Sequence, residues 1–203
     1  MKSGNKFKIV IYAVLLVSLA FYLKFREKNY YTIPAFAGEE LVFAVIEIPA
    51  GTNKKFEYNP STNKFEPNQI NNQDRIIQFL PYPFNYGFIP STFMDPLRGG
   101  DGDALDVCIL SESKAMKTVI KVIPIAMIRL IDNNEIDTKI IAVPADESKI
   151  INAYSLKDLR ENYPAVIQNI EQWFLNYKGK DQIQIQGWLD REDAIGEINK
   201  WKL

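Results

Sequence analysis

The sequence predicts an α+β fold, in which about seven mostly meandering strands close into a small barrel or highly curved sheet and helices follow. Three observations predict it. Between residues 41 and 141, short apolar or alternating runs are separated by turns rich in Pro, Gly, Asn and Asp. From residue 155 onward the apolar spacing becomes that of helices. Hydrophobic residues make up 47% of the 203, enough for the core of one domain plus an appendage.

Composition excludes several functions. The 24 Lys and Arg nearly balance the 25 Asp and Glu, so the chain lacks the basic excess of a general nucleic-acid binder. Cys108 is the single cysteine, so no intramolecular disulfide forms. The chain has no histidine, which removes Ser-His-Asp and Cys-His catalysis, His-ligated zinc and an imidazole base. Acid–base chemistry is left to carboxylates, Lys, Tyr or metal-coordinated water.

In chain order, Lys2, Lys6 and Lys8 precede an apolar run over residues 9–23 that only Ser18 interrupts, and Lys24, Arg26 and Lys28 follow. Fifteen residues make a helix of about 22 Å, and Phe7, Phe25 and snorkelling lysines bring it near the ~30 Å of a bilayer core. The expectation is a signal-anchor or signal peptide over 1–28 and a catalytic domain over 29–203. A buried core helix is the alternative. Basic residues flank both ends, so charge gives no orientation.

Residues 26–40 read as a linker or first edge strand, and Leu41 to Ile48 as a strand. Lys54 to Tyr58 alternates into the turn Asn59-Pro60-Ser61, and Phe65 starts a return strand. Residues 68–74 read as polar loop and 75–80 as strand. The prolines in Pro81-Tyr82-Pro83-Phe84-Asn85-Tyr86-Gly87-Phe88-Ile89-Pro90 forbid a helix, and the run reads as a stiff, packed loop. Val119 to Leu130 reads as strands interrupted at Pro124. Asp132 to Glu135 is a turn, after which Asp137 and Lys139 share a strand face. Ser155 with Asp158 resembles a capping box, and Pro164 suits the first turn of the next helix. There Val166, Ile167, Ile170, Trp173, Phe174 and Tyr177 form one buried face, and Gly179 ends the helix. Gln182 to Trp188 is a final strand. Asp190 caps a last helix with Ala194, Ile198 and Trp201 inward.

The most informative stretch is Asp101-Gly102-Asp103-Ala104-Leu105-Asp106-Val107. Clustered carboxylates repel one another, and as oxygen ligands they suit Mg²⁺, Mn²⁺ or Ca²⁺. A lone Asp-x-Asp usually marks a solvated acidic turn. Here the glycine bend can turn all three acids inward, and Glu47, Glu57, Asp132 and Asp137 stand at other strand ends. An EF-hand is excluded, because Leu105 and Asp106 occupy the positions that need Asp or Asn and Gly.

This loop resembles the signature of soluble family I inorganic pyrophosphatases. Ile46-Glu47-Ile48-Pro49, Lys55-Phe56-Glu57, Arg75, Tyr82-Pro83-Phe84-Asn85-Tyr86-Gly87, Asp132 to Lys139, Ala142-Val143-Pro144 and Tyr177-Lys178 match the same family in order, over residues 41–190. Two features depart from it. Ala104 stands where the family usually has proline, which leaves the loop less rigid, and most members lack a hydrophobic N-terminus.

The resemblance implies a small OB-like barrel with C-terminal flanking helices, and Mg²⁺-dependent hydrolysis of pyrophosphate to two phosphates. It implies in-line attack by metal-activated water, several Mg²⁺ per site and no phospho-enzyme. By similarity, Asp101, Asp106, Asp137, Asp132 and Glu57 bind the metals. Asp103 is the general base. Lys55, Arg75, Lys139, Tyr177, Lys178 and Tyr86 contact phosphate oxygens. Glu47 supports the site from behind, and Tyr82 is a supporting or packing residue. The bland readings are a last core residue for Tyr177, a charge answering the helix dipole for Lys178, a turn former for Asp132 and an exposed strand end for Glu47. The partners implied are pyrophosphate, a membrane through residues 9–23 and further copies of the chain, a hexamer by resemblance, with no nucleic acid. Family precedent puts the catalytic domain in the cytoplasm, whereas an ordinary signal-anchor would export it. The competing readings are a barrel-shaped binding module and an inactive membrane-tethered scaffold.

Overall fold

The computed structural model describes residues 11–12, 14–16, 18, 27–132, 135–146, 151–179 and 182–203. Its strands are β1 (Val42–Ile48), β2 (Phe56–Asn59), β3 (Lys64–Pro67), β4 (Gln69–Ile70), β5 (Gln73–Asp74), β6 (Asn85–Phe88), β7 (Asp106–Ile109), β8 (Val119–Asp132) and β9 (Glu135–Pro144). Helices α1 (Leu156–Asn162) and α2 (Pro164–Asn176), strand β10 (Ile183–Asp190) and helix α3 (Arg191–Trp201) follow. Six strands form one sheet in the order β1-β6-β7-β9-β8-β10. Because β1 also pairs with β8, the hydrogen-bonded chain of strands returns on itself. The ring is antiparallel except between β7 and β9, which run parallel. The α+β expectation therefore holds, with few helices against one large sheet.

Apolar patterning explains the layers. Ile128, Leu130, Ile141 and Val143 from β8 and β9 pack with Ile170, Trp173 and Phe174 of α2. Residues of opposite parity, such as Met127, Ile140 and Ala142, pack with Ala194, Ile198 and Trp201 of α3. Alternate side chains of a strand point to opposite faces, so the sheet is covered on both sides and its strands read as near-continuous apolar runs. A third, aromatic cluster gathers Tyr30, Tyr58 and Phe88 with Val45 and Ala104. The helix signals behave as expected. The Ser155 side chain accepts from Asp158 N at 3.1 Å, Pro164 opens α2, and Asp190 caps α3.

Four local expectations are corrected. Residues 81–90 are not simply a loop, because Asn85–Phe88 forms β6, wholly buried between β1 and β7. Pro81, Pro83 and Pro90 lie outside that strand, so none removes a donor from its ladder. Residues 75–80 do not form a strand: only an isolated bridge joins Ile76 to Lys54, and Phe79 and Leu80 are exposed. The regular pairing lies just before, in the short β4–β5 hairpin, where Asn71 and Asn72 adopt the left-handed conformation that asparagine tolerates. Pro124 does not interrupt β8, which runs through it and absorbs it in a register shift between Pro124 and Ala126. Among the described residues 27–40 no edge strand forms beyond an isolated bridge of Phe36 to Val42, which leaves the linker reading. Tyr30–Thr32 is a 3₁₀ turn, and Ala35 is buried beside it.

The apolar run over 9–23 lies largely outside the described residues. Of its members, Ile11, Tyr12, residues 14–16 and Ser18 are helical and exposed. Among the described residues no helix is long and apolar enough to cross a membrane.

Of the glycines in the sheet, Gly87 is the one with no room for a side chain. A Cβ there would lie 1.8 Å from the Val45 carbonyl oxygen, and backbone cannot yield as a side-chain tip does. Gly87→Ala is expected to destabilise the fold by about 3 kcal/mol or more, measured by urea unfolding. A loss below about 1 kcal/mol would contradict the close approach of β1 and β6.

Candidate active site

The parallel register of β7 and β9 sets Asp106 opposite Lys139. Two residues earlier in β9, Asp137 projects from the same face. The Lys139 ammonium, 5% exposed, makes ion pairs with both Asp106 and Asp137. Burial alone would lower the Lys139 pKa, but the two carboxylates outweigh it and hold the group charged. Burial, with Asp137 repulsion added, raises the Asp106 carboxyl despite the pull of Lys139.

The tip of the β8–β9 hairpin supplies Asp132, and the end of α2 supplies Tyr177 and Lys178. Lys178 makes an ion pair with Asp132 Oδ2, whereas Asp132 Oδ1 is buried without a hydrogen-bond partner. From β2, Glu57 meets Lys55 Nζ at 2.6 Å and accepts from Asn68 Nδ2 at 2.8 Å. Burial would raise the Glu57 carboxyl, but Lys55, Asn68 and Arg75 bring it below its ordinary value.

The acidic loop turns at Gly102, whose φ of +87° favours glycine. Asp101 Oδ1 accepts from Asp103 N at 3.0 Å, and Met94 N donates to the Asp103 carbonyl at 2.8 Å. The Asp103 carboxyl is raised by burial, then by repulsion from Asp101, Asp106 and Glu57. Glu47 is 8% exposed and accepts from Tyr58 N at 2.6 Å, so it is not an exposed strand end. Burial pushes its pKa from 4.5 to about 8.

A wall of rings backs these charges. Tyr177 stacks on Trp173 with centroids 4.6 Å apart, and Trp173 lies 4.4 Å from Tyr82, which leads to Tyr86 at 5.5 Å. Burial raises the Tyr82, Tyr86 and Tyr177 phenols, which therefore stay neutral donors. The Trp173 indole donates to the Leu80 carbonyl at 3.0 Å, tying α2 to the loop before β6.

Together these elements line a cleft of about 830 Å³. Glu47, Lys55, Glu57, Tyr82, Tyr86, Asp101, Asp103, Asp106, Asp132, Asp137, Lys139, Tyr177 and Lys178 all line it. Arg75 does not. Its guanidinium stands beside the cleft, 6.0 Å from the Tyr177 ring centroid. Sequence reasoning missed Asn68 and Tyr31, which also line the cleft. Asn68 lay in a stretch read as polar loop and Tyr31 in one read as a linker. The signal for Tyr31 was the paired aromatics Tyr30-Tyr31 just ahead of the first strand.

Among the described residues no three carboxylates close into a group that could hold a cation as they stand. Lysine ammonium groups are placed among the acids instead, at Asp106, Asp137, Asp132 and Glu57. The donor set still fits hard divalent cations. It is all oxygen, it leaves the buried Asp132 Oδ1 unpartnered, and it crowds Asp101, Asp103 and Asp106 against one another.

A return-on-itself sheet with α2 and α3 against it, carrying a cleft of acids, ammonium groups and phenols, defines the class: an α+β enzyme with a charged, polar cleft. The chain belongs to the inorganic pyrophosphatase family, whose model, described as "Inorganic pyrophosphatase", matches residues 44–202. It is 35% identical over 166 residues to an inorganic pyrophosphatase of Aquifex pyrophilus, covering 79% of this chain and 87% of that one. It is 38% identical over 162 residues to one of Saccharolobus solfataricus, covering 76% and 86%. Its fold is similar to the crystal structure of the Thermus thermophilus inorganic pyrophosphatase, with a TM-score of 0.72 at 30% identity over 85% of this chain and 95% of that one.

The buried Glu47 makes a testable contribution to stability. Its folded pKa lies above its ordinary value, so the stabilisation is complete below about pH 4.5 and is lost as pH rises through about 8. In chelator-treated protein, unfolding free energy should fall across that window with a component of about 1 kcal/mol per pH unit that Glu47→Gln removes. An unchanged slope in the variant would mean that Glu47 is ionised throughout.

Proposed function

We propose that this chain hydrolyses inorganic pyrophosphate to two phosphates, by in-line attack of water with a carboxylate base and no covalent intermediate. The observation that carries it is the convergence of Asp101, Asp103, Asp106, Asp132 and Asp137 on one cleft with Lys55, Lys139 and Lys178. Membership of the family supports it. The ring of strands is read as a small OB-like barrel with this cleft on one side.

Several Mg²⁺ ions would be held by Asp101, Asp106 and Asp137 and by Asp132 and Glu57. When bound, such ions neutralise phosphate charge and acidify water. The chain's own residues supply the remainder. Asp103 takes the proton from the attacking water, and its raised pKa makes it a better acceptor than an ordinary aspartate. Lys55 and Lys178 are ammonium point charges for phosphate oxygens, and Lys139 adds a third. Arg75 can fork to two oxygens, which a lysine cannot. Tyr86 and Tyr177 donate as neutral phenols, and Glu47 braces the floor through Tyr58 N. Without a histidine in the chain, no imidazole competes for the role of base.

The deciding measurement is phosphate release from pyrophosphate with and without Mg²⁺; no release in either condition overturns the reading. Asp103→Asn is expected to keep metal binding and lose about 10²- to 10⁴-fold in kcat. Turnover near that of the wild type would remove Asp103 as base. Asp106→Ala should weaken Mg²⁺ binding, read as a rightward shift of the Mg²⁺ activation curve. An unshifted curve would take Asp106 out of the ligand set. Tethering to a membrane through residues 9–23 is proposed on composition alone. Fractionation with protease protection of the C-terminus tests it, and recovery of the intact chain in the soluble fraction would reject it.

A further inference from the structure

Tyr31 precedes the part of the chain that the family model matches, yet its side chain lines the cleft. Its ring stacks on Phe88 with centroids 5.5 Å apart and an interplanar angle of 28°, and lies 5.7 Å from Tyr58. Phe88 is paired across β6–β7 with Asp106. Ala104, 5% exposed between Asp103 and Leu105, is buried in the same aromatic cluster. Tyr31 itself is held at both its backbone ends. Asn29 Oδ1 accepts from its N–H at 3.0 Å, and the Ser91 hydroxyl lies 2.8 Å from its carbonyl and from that of Ile33. The 3₁₀ turn Tyr30–Thr32 is thus fastened to the domain rather than lying loose on it.

The backbone of the acidic loop is tied at Gly102 N to the Met94 carbonyl, at the Asp103 carbonyl to Met94 N and at Leu105 N to the Thr92 hydroxyl, but the residues between these ties bring little stiffness of their own. Gly102 is left-handed, and Ala104 adds neither a ring nor a branched side chain, so the loop depends on what packs against it. We propose that Tyr31 is a positioning residue for Asp103: its ring closes the aromatic cluster over Ala104 and so holds the base at the cleft. The segment ahead of β1 then becomes part of the active site and takes over the stiffening that a proline at 104 would give. Its phenol faces the same edge of the cleft, where burial and then the Glu47 and Asp103 carboxylates raise its pKa. The catalytic half of this inference rests on Asp103 acting as base, and the structural half does not.

The test uses the full chain and two readouts. In Tyr31→Ala, amide hydrogen exchange of residues 101–106 should speed up about tenfold while β8 and β9 stay protected. In the same variant kcat should fall about five- to twentyfold with KM within about twofold, as misplacement of a catalytic group does. Tyr31→Phe keeps the ring and should keep slow exchange in the loop. Ala104→Pro removes none of the backbone hydrogen bonds described for the loop. Placed in the Tyr31→Ala background, it should restore both slow exchange and most of kcat. The proposal is overturned if exchange rises across the whole sheet, if Tyr31→Phe loosens the loop as much as Tyr31→Ala, or if Ala104→Pro rescues neither readout. Should the wild type release no phosphate from pyrophosphate, the functional reading fails, and hydrogen exchange alone still decides whether Tyr31 braces the loop.

Discussion

The pairing of the Lys139 ammonium with Asp106 and Asp137 is the interaction on which the cleft depends. Each of these groups carries a charge into a protein interior, and each alone would pay a desolvation penalty of several kcal/mol. Together they can stay ionised. The arrangement exists because β7 and β9 lie parallel and in register, with Asp106 facing Lys139 and Asp137 two residues away on the same face. One net negative charge remains in the trio. A further cation is therefore favoured at this place, and the Lys139 ammonium is already fixed in position.

The same logic extends outward. Lys178 answers Asp132, and Lys55 answers Glu57, while the buried Glu47 is met by the Tyr58 N–H instead of a lysine. Asp101 and Asp103 have no such partner among the described residues, and repulsion raises Asp103. The cleft thus grades from paired charges around Lys139, Lys178 and Lys55 to uncompensated anions at the loop. That gradient separates a side of fixed cations from a side of crowded carboxylates. The neutral ring wall of Tyr82, Tyr86, Trp173 and Tyr177 supplies hydrogen bonds without adding charge, and it joins α2 to β6.

Scaffold and site use the same backbone features. Gly87 allows β1 and β6 to approach, which brings Glu47 of β1 behind the cleft and Tyr86 into it. The register shift at Pro124 lets one long strand serve both ends of the sheet, pairing with β1 at its start and with β10 beyond the shift. Tyr30 and Tyr31 bring the segment before the matched domain into the aromatic cluster beneath the acidic loop.

Much of this was legible in the chain itself. Helix signals were reliable because Ser155, Pro164 and Asp190 act on groups only a few residues away. The shared face of Asp137 and Lys139 followed from strand periodicity, and the absence of histidine narrowed the chemistry before any fold was known. The acidic loop was legible as a motif. Other features depended on partners far along the chain. Local rules read the proline-flanked stretch 81–90 as a loop, yet Asn85–Phe88 is a strand because β1 and β7 stand on either side of it. Residues 75–80 are apolar enough to read as a strand but find no neighbour to pair with beyond a single bridge. Sequence alone determined which side chains could do the chemistry. Tertiary structure decided that Lys139 lies between two buried aspartates, that Arg75 stands beside the cleft rather than in it, and that Tyr31 joins it. Charge pairing and burial depend on distances between segments up to a hundred residues apart, and no local pattern encodes them.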